Sequence, residues 1–245
     1  MSADARVPRR HGLARVLSKR GLCSRTQAAA WIRDGRVAVA GKVVTDPEHP
    51  TTLDCDAIAV DGKPLAADAT IHLMLNKPRG LVTTAADERG RDTVYRCFDA
   101  SQLGWIAPVG RLDKASEGLL LFSNDPQWAA RITDPQTGPD KTYHVQVNTI
   151  PAPVLLAGLV AGIDVDGERL SAKSSRLLRA GEKNAWLEIV LDEGRNRQIR
   201  RLLAAFDIEV LRLVRVAIGG LALGDLAKGQ WRLLTPGEAA SLSLL

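Results

Sequence analysis

The sequence predicts an α+β protein: a mixed, largely antiparallel sheet flanked by helices, preceded by a small N-terminal α/β module. Three observations lead there. Short apolar runs of strand length outnumber helical patterns and are joined by short Gly-, Asp- and Pro-containing turns. The central run, Gly118-Leu-Leu-Leu-Phe122, has the composition of a strand buried on both faces. The charge is divided unevenly: residues 1–50 hold ten Lys/Arg against four Asp/Glu, whereas residues 51–245 hold 23 against 24. A basic module on a near-neutral body is the charge pattern of a polyanion-binding appendage.

Residues 1–11 are charged, contain Pro8 and lack periodicity, and are expected to be a disordered basic leader. Leu13, Val16, Leu17 and Arg20 have helical spacing, and Gly21 stops that helix. Ser24-Arg-Thr-Gln27 is a helix-start signature, Ala28, Trp31 and Ile32 supply the apolar face, and Gly35 ends it. Val37 and Val39 alternate, Ala40-Gly41 turns, and Val43-Val44 return. Gly35 to Lys42 mimics a phosphate-binding P-loop, but its spacing is one residue too long and Val43 stands where a hydroxyl should hold magnesium. Arg25, Arg33, Arg36 and Lys42 fall on the second helix and the hairpin, where they could meet phosphates. The stretches from Leu17 to Arg25 and from Gly35 to Lys42 resemble an S4 RNA-binding domain. The resemblance implies a module over 12–62 and assigns those four cations to RNA contact. Ile58 to Leu65 reads as a hairpin with Asp61-Gly62 at its tip, and 63–70 as a linker.

The larger domain is expected over 71–245. Ile71 to Leu75 reads as a strand broken by the turn Asn76-Lys-Pro-Arg-Gly80, and Thr84 to Thr93 as a flexible loop. Asp125-Pro126 caps a short helix running through Arg131. Lys141 to Val147 alternates as a strand, with Tyr143, Val145 and Val147 on one face and His144 on the other. Pro153 to Gly162 reads as a helix and Trp186 to Leu191 as a strand. Asp192 to Leu203 reads as a Gly turn feeding a basic helix, and Glu209 to Ile218 as an apolar strand carrying Arg212 and Arg215.

Composition excludes several classes. No apolar run reaches membrane length and the N-terminus lacks a secretory leader pattern, so no membrane partner and a cytoplasmic location are expected. Cys23, Cys55 and Cys97 are odd in number and form no C-x-x-C pair, which argues against a zinc site or a disulfide framework. There is no nucleophile elbow, zinc-protease motif or dinucleotide fingerprint.

The chemistry is expected around Gly110-Arg-Leu-Asp113. A carboxylate at the mouth of a buried strand is costly unless a cation or ligand answers it. Asp113 and Glu117 could instead form a glycosidase-like pair, although the strand following Glu117 argues against that geometry. Asn76-Lys-Pro-x-Gly, Gly-Arg-Leu-Asp113, Lys-Thr-Tyr143 and Asn-Arg-Gln-Ile-Arg200, in that order, resemble the motif set of the RsuA family of ribosomal RNA pseudouridine synthases. Leu213-Val-Arg-Val-Ala-Ile-Gly-Gly and Gly229-Gln-Trp-Arg extend the match over nearly the whole chain. The catalytic half is more similar to members acting on large-subunit (23S) rRNA.

This resemblance implies a uridine isomerase. The N1–C1′ bond breaks, the base turns, and the base rejoins the sugar through C5, with no metal or cofactor. Asp113 would be the catalytic carboxylate, attacking C1′ or taking a proton from C2′. Tyr143 would stack on the flipped uracil, and Arg200 would pair with Asp113. Arg111 would fill the place the uridine leaves, and Leu213 would pack against the base. Lys77 and Arg197 are expected to contact the RNA. The expected partner is ribosomal RNA or a pre-ribosomal particle, bound by a monomer. The competing readings are a non-catalytic S4-type ribosome-binding or assembly factor, and a glycoside hydrolase using Asp113 and Glu117.

Overall fold

The computed structural model describes residues 10–53, 55, 57–65, 70–85, 87–98, 101 and 103–243. The chain divides into two compact units, one formed by Met1–Ile71 with Gln102–Ile106 and Asn124–Gln127, the other by the remainder.

In the first unit, helix α1 (Leu13–Lys19) buries Leu13, Val16 and Leu17, and helix α2 (Arg25–Arg33) buries Ala28 and Ile32. Ser24 Oγ accepts from Gln27 N at 3.1 Å, satisfying one of the donors left open at the start of α2. Gly21, at φ +75°, turns the chain between the helices. Both helices pack with Val37 and Ile58 of a four-stranded sheet ordered Lys42–Val43, Val37–Val39, Ile58–Val60, Lys63–Pro64. The P-loop mimic is therefore a plain hairpin. The chain turns at Asp61-Gly62, both with positive φ, as a two-residue hairpin of the primed type requires.

Two limits of this unit differ from expectation. His11–Gly12 is a short strand paired with Pro50–Thr51, so position 11 belongs to the fold; residues 1–9 of the expected leader lie outside the described residues. Lys63–Pro64 pairs with Ala59 and Val60, so the expected linker begins inside the sheet; residues 66–69 lie outside the described residues.

The second unit is built on a nine-stranded sheet. Its strands are β1 (His72–Lys77), β2 (Ala107–Val109), β3 (Glu117–Ser123), β4 (Lys141–Val147) and β5 (Ser174–Ala180). They continue with β6 (Ala185–Leu191), β7 (Val210–Ile218), β8 (Leu221–Ala222) and β9 (Trp231–Leu233). The order is β5-β6-β4-β7-β3-β1-β9, with β8 on β7 and β2 on β3. Among the described residues the β3–β7 pairing is parallel and every other ladder of this sheet is antiparallel. The α+β expectation matches this mixed sheet with its helices.

Every residue of β3 is buried, and Leu119, Leu120, Leu121 and Phe122 are wholly so. Each such side chain contributes on the order of 2 kcal/mol by leaving water, which fixes β3 as an interior strand of the sheet. Helices α3 (Pro126–Thr133) and α6 (Pro236–Ser241) cover one core with Met74, Leu119 and Leu121. A second core gathers Val145, Leu187, Leu202 and Leu213, with α4 (Pro153–Ala161) and α5 (Gln198–Ala204) packed on it.

Several boundaries differ from expectation. β1 continues through Asn76 and Lys77, in place of the expected turn, because both pair with β3 and Asn76 N donates to Gln230 O at 3.0 Å. α5 begins only at Gln198, after a turn that ends on Arg197 in the left-handed conformation. The Thr84–Thr93 stretch contains a parallel bridge, Val82 to Thr93, and an Asp87–Arg91 ion pair. β5, the hairpin Ile163–Val165/Glu168–Leu170 and α6 were not read from the sequence. α6 did carry a signal: Thr235 and Glu238 form a full capping box with Pro236 at the first turn.

Candidate active site

The turn from Gly110 to Ser116 connects β2 to β3. Gly110, at φ +74°, lets the chain leave β2, and Ser116 N donates to Asp113 O at 3.0 Å to close the turn. Three groups from β1 and the segment after it hold the turn. Lys77 is wholly buried, and its ammonium donates to the carbonyls of Pro78, Asp113 and Ser116 at 3.1, 3.2 and 2.8 Å. Gly80 N donates to Lys114 O at 2.8 Å. Thr83 Oγ1 donates to Leu112 O at 2.7 Å and accepts from Leu112 N. Lys77 was expected at the RNA; the structure places it inside instead, because β1 runs on past the expected turn and carries its side chain under the loop. Burial pushes the Lys77 ammonium down to about 8, while Asp113 and Glu117 pull the other way.

β3 then starts against β7. Gly118, at φ +100°, stands opposite Arg215, and a Cβ there would lie 2.2 Å from Arg215 O. Only glycine lets the parallel strands meet at this point.

A cavity of about 540 Å³ opens beside the turn, within the usual range for a small-molecule or nucleotide site. Arg111 and Asp113 line it from the turn and Tyr143 from β4; Arg197 and Arg200 come from the start of α5, and Leu213 from β7. These residues span 102 positions of sequence but meet on one wall system, because β4 pairs with β7 in the register Tyr143–Arg215 and Val145–Leu213. Tyr143 is half-buried, with its ring against the second core, and Leu213 is buried.

The cation nearest Asp113 is not the expected one. Arg197 Nη1 lies 3.7 Å from Asp113 Oδ2. Arg200 Nη2 instead donates to Ala115 O at 3.4 Å and Nη1 to Val210 O at 3.3 Å. Arg200 thus ties α5 to the turn and to β7, and acts on the carboxylate through space rather than by an ion pair. Burial lowers its pKa, Arg197 adds to the lowering, and Asp113 opposes both. The physical reason is the late start of α5: Arg197 precedes the helix and reaches across, while Arg200 is a turn further in. Arg201 faces away, bonded to Glu168 at 2.5 Å.

Glu117 does not face the cavity as a second acid. It is buried at 3 % exposure and accepts from Arg212 at 3.1 Å through both oxygens, and from Lys228. This arrangement removes the glycosidase-like pair.

Among the wall residues that the sequence did not assign to the site are Ser116, Lys141 and Arg215. Among the described residues, the buried side-chain atoms lacking a hydrogen-bond partner are Ser116 Oγ, Arg200 Nε and Arg215 Nη2. All three belong to residues lining this cavity, which marks it as a site awaiting polar groups. Arg215 was legible in principle: it is two residues from Leu213, so strand alternation puts both on one face. Burial, reinforced by Arg215, lowers the pKa of Lys141.

In the first unit, Arg25 pairs with Glu48 at 3.2 Å, and Arg36 forms a two-pronged pair with Asp61 while lying over the Trp31 ring. Arg33 and Lys42 are exposed and have no ion pair among the described residues. No group of metal-ligating residues occurs among the described residues, and no described helix is long and apolar enough to cross a membrane.

Comparison with known proteins identifies the family. Residues 12–53 match the S4 domain family and residues 71–205 match the RNA pseudouridylate synthase family. The chain is 36% identical over 235 residues to ribosomal large subunit pseudouridine synthase B of Bacillus subtilis (strain 168), covering 95% of this chain and 96% of the relative. It is 36% identical over 230 residues to an uncharacterized RNA pseudouridine synthase of Aquifex aeolicus (strain VF5), covering 93% and 92%. A crystal structure of a pseudouridylate synthase superposes with a TM-score of 0.67 at 30% identity, over 95% of this chain and 99% of that one. A carboxylate turn, an aromatic strand residue and a basic helix start converge on one cavity, and the family match runs through all three. The chain therefore belongs to the RNA pseudouridylate synthase family, as an isomerase with an N-terminal S4 domain.

Proposed function

We propose that this isomerase converts a specific uridine of large-subunit (23S) ribosomal RNA to pseudouridine, and that Asp113 is its catalytic carboxylate. The observation that carries the reading is the shared cavity: Asp113 and Tyr143 line one 540 Å³ space together with Arg111, Arg200 and Leu213. The large-subunit preference rests on the name and the near full-length coverage of the Bacillus subtilis relative.

In this reading the target uridine leaves its helix and enters the cavity, and Arg111, exposed at the mouth, takes its place in the RNA. Tyr143 stacks on the uracil and Leu213 packs on it. Asp113 works at the sugar, as nucleophile at C1′ or as base at C2′. The N1–C1′ bond breaks, C5 bonds to C1′, the C5 proton leaves and N1 gains one. Arg197 and Arg200 keep the Asp113 side of the cavity cationic. The S4 module adds sequence-independent phosphate contacts. The enzyme acts as a cytoplasmic monomer on ribosomal RNA or on a pre-ribosomal particle.

The test is tritium release from RNA labelled as [5-³H]uridine, together with pseudouridine mapping of rRNA from cells lacking the gene. Asp113→Asn should lower release by at least about 10²-fold with RNA binding retained. Near-wild-type turnover overturns the assignment of Asp113. Loss of a mapped site in small-subunit rRNA instead overturns the large-subunit target.

A further inference from the structure

We infer that Arg215 reads the base: its guanidinium donates a hydrogen bond to a carbonyl of the uracil, and one fixed donor group serves the base both before and after it turns. This role rests on a flipped uridine occupying the cavity.

Arg215 is only 6 % exposed and lines the cavity. Its Nε donates to Leu119 O at 2.7 Å, which locks the guanidinium plane against β3. Its Nη2 is buried and has no protein partner. Among the described residues no carboxylate pairs with it; Lys141, whose pKa it helps to lower, is another cation. A buried guanidinium without a carboxylate is costly, and an unanswered donor adds to that cost. A ligand acceptor supplies what the fold leaves out.

Position along the strand chooses the acceptor. Arg215 stands directly across from Tyr143 in the β4–β7 ladder and two residues from Leu213 on the same face. Those are the two side chains that would hold the base between them. Arg111 and Arg197 are exposed, so the parts of the RNA that stay outside the cavity fall to them. The buried donor therefore meets the base rather than the backbone.

Uracil suits such a donor through its own symmetry. Exchanging N1 for C5 requires a half-turn about the axis through N3 and C6. That turn also exchanges C2 with C4, so O2 and O4 trade places while N3 stays. A carbonyl oxygen therefore faces the fixed Arg215 guanidinium in the substrate and again in the product. Cytosine carries an amino group at C4, so one of its two orientations would set donor against donor.

Sulfur accepts hydrogen bonds poorly, so the test uses RNA with 2-thiouridine or 4-thiouridine at the target, in single-turnover assays of the full-length enzyme. Wild-type turnover of unmodified RNA is measured first; its absence would defeat the isomerase substrate reading, not the role of Arg215. Wild-type enzyme should then lose roughly 10–100-fold in rate or affinity with at least one thio substrate, the size expected for one charge-assisted bond. Arg215→Met should be slow on uridine and should show a much smaller further loss with that thio substrate. Arg215→Lys keeps the cation without the second Nη and should show the same narrowing if the methionine variant does not fold. Wild-type indifference to both thio substrates overturns the proposal, whatever the variants do. So does a folded variant that still shows the full wild-type loss, because Arg215 would then only brace β7 against β3.

Discussion

Lys77 Nζ donates to the backbone carbonyl of Asp113 at 3.2 Å from a position with no exposure to solvent. The same ammonium bonds Pro78 O and Ser116 O, so one buried cation sets the shape of the turn that presents the carboxylate. Lys77→Met keeps the length of the stem but leaves three carbonyls unanswered. It should lower stability by roughly 1–3 kcal/mol and reduce the rate of uridine isomerisation more than RNA affinity. Burial holds the Lys77 pKa at about 8, below the ordinary lysine value of 10.5. Between those two pH values the unfolded chain binds more protons than the folded one, so this residue makes stability rise with pH. Denaturant midpoints measured across that interval should show the rise in wild type and lose it in Lys77→Met.

Arg200 and Arg197 should respond differently to the same substitution. Arg200 spans two carbonyls, Ala115 O and Val210 O, and an ammonium cannot bridge both as a planar fork does. Arg197 is exposed and meets Asp113 at 3.7 Å in water. Arg200→Lys should lower the single-turnover rate by about tenfold or more, and Arg197→Lys by no more than about threefold. The opposite order would mean that Arg197 is the cation the chemistry depends on.

Glu117 is a structural anion. Burial alone would raise its pKa, but the bonds from Arg212 and Lys228 outweigh that and lower it. With the folded pKa below the unfolded one, its stabilisation is present above the unfolded value and lost as pH falls through the folded value. Glu117→Gln should destabilise the protein by roughly 1–2 kcal/mol at neutral pH, because the buried carboxylate loses charge-assisted bonds while Arg212 and Lys228 remain partly in water. It should also make acid unfolding less steep. Chemical denaturation at neutral and at acid pH reads both. Release of free uracil or sugar by wild type, abolished by this change, would restore the hydrolase reading.

Within the S4 module the unpaired cations should dominate RNA binding. Arg33 and Lys42 have no ion pair among the described residues, whereas Arg25 and Arg36 already hold Glu48 and Asp61. Arg33→Ala with Lys42→Ala should flatten the slope of log affinity against log salt by roughly 0.7–0.9 for each phosphate the protein no longer neutralises. Arg25→Ala should flatten it less. Filter binding from about 50 to about 300 mM salt, where counterion release dominates, separates the two; an unchanged slope in the double variant removes these residues from the interface.

The sequence by itself determined the elements whose signals are local. The two short helices of the S4 module show their apolar spacing and their Gly stops. Lys141 to Val147 alternates, and Gly118 to Phe122 is apolar throughout, so both strands were legible from composition and period. The order of four short motifs was enough to point to the family. Tertiary structure decided everything that depends on one strand meeting another. β1 carries Lys77 inward only because Asn76 and Lys77 pair with β3, a pairing between distant segments that no local signal records. The same pairing logic sets Arg215 beside Tyr143, 72 positions away in the chain. α5 begins at Gln198 because Arg197 takes a left-handed turn, and that single residue decides which arginine reaches Asp113. Register between strands and the start of a helix are set by burial and hydrogen bonding across the whole sheet, which is why the chemistry could be named from the sequence and its geometry could not.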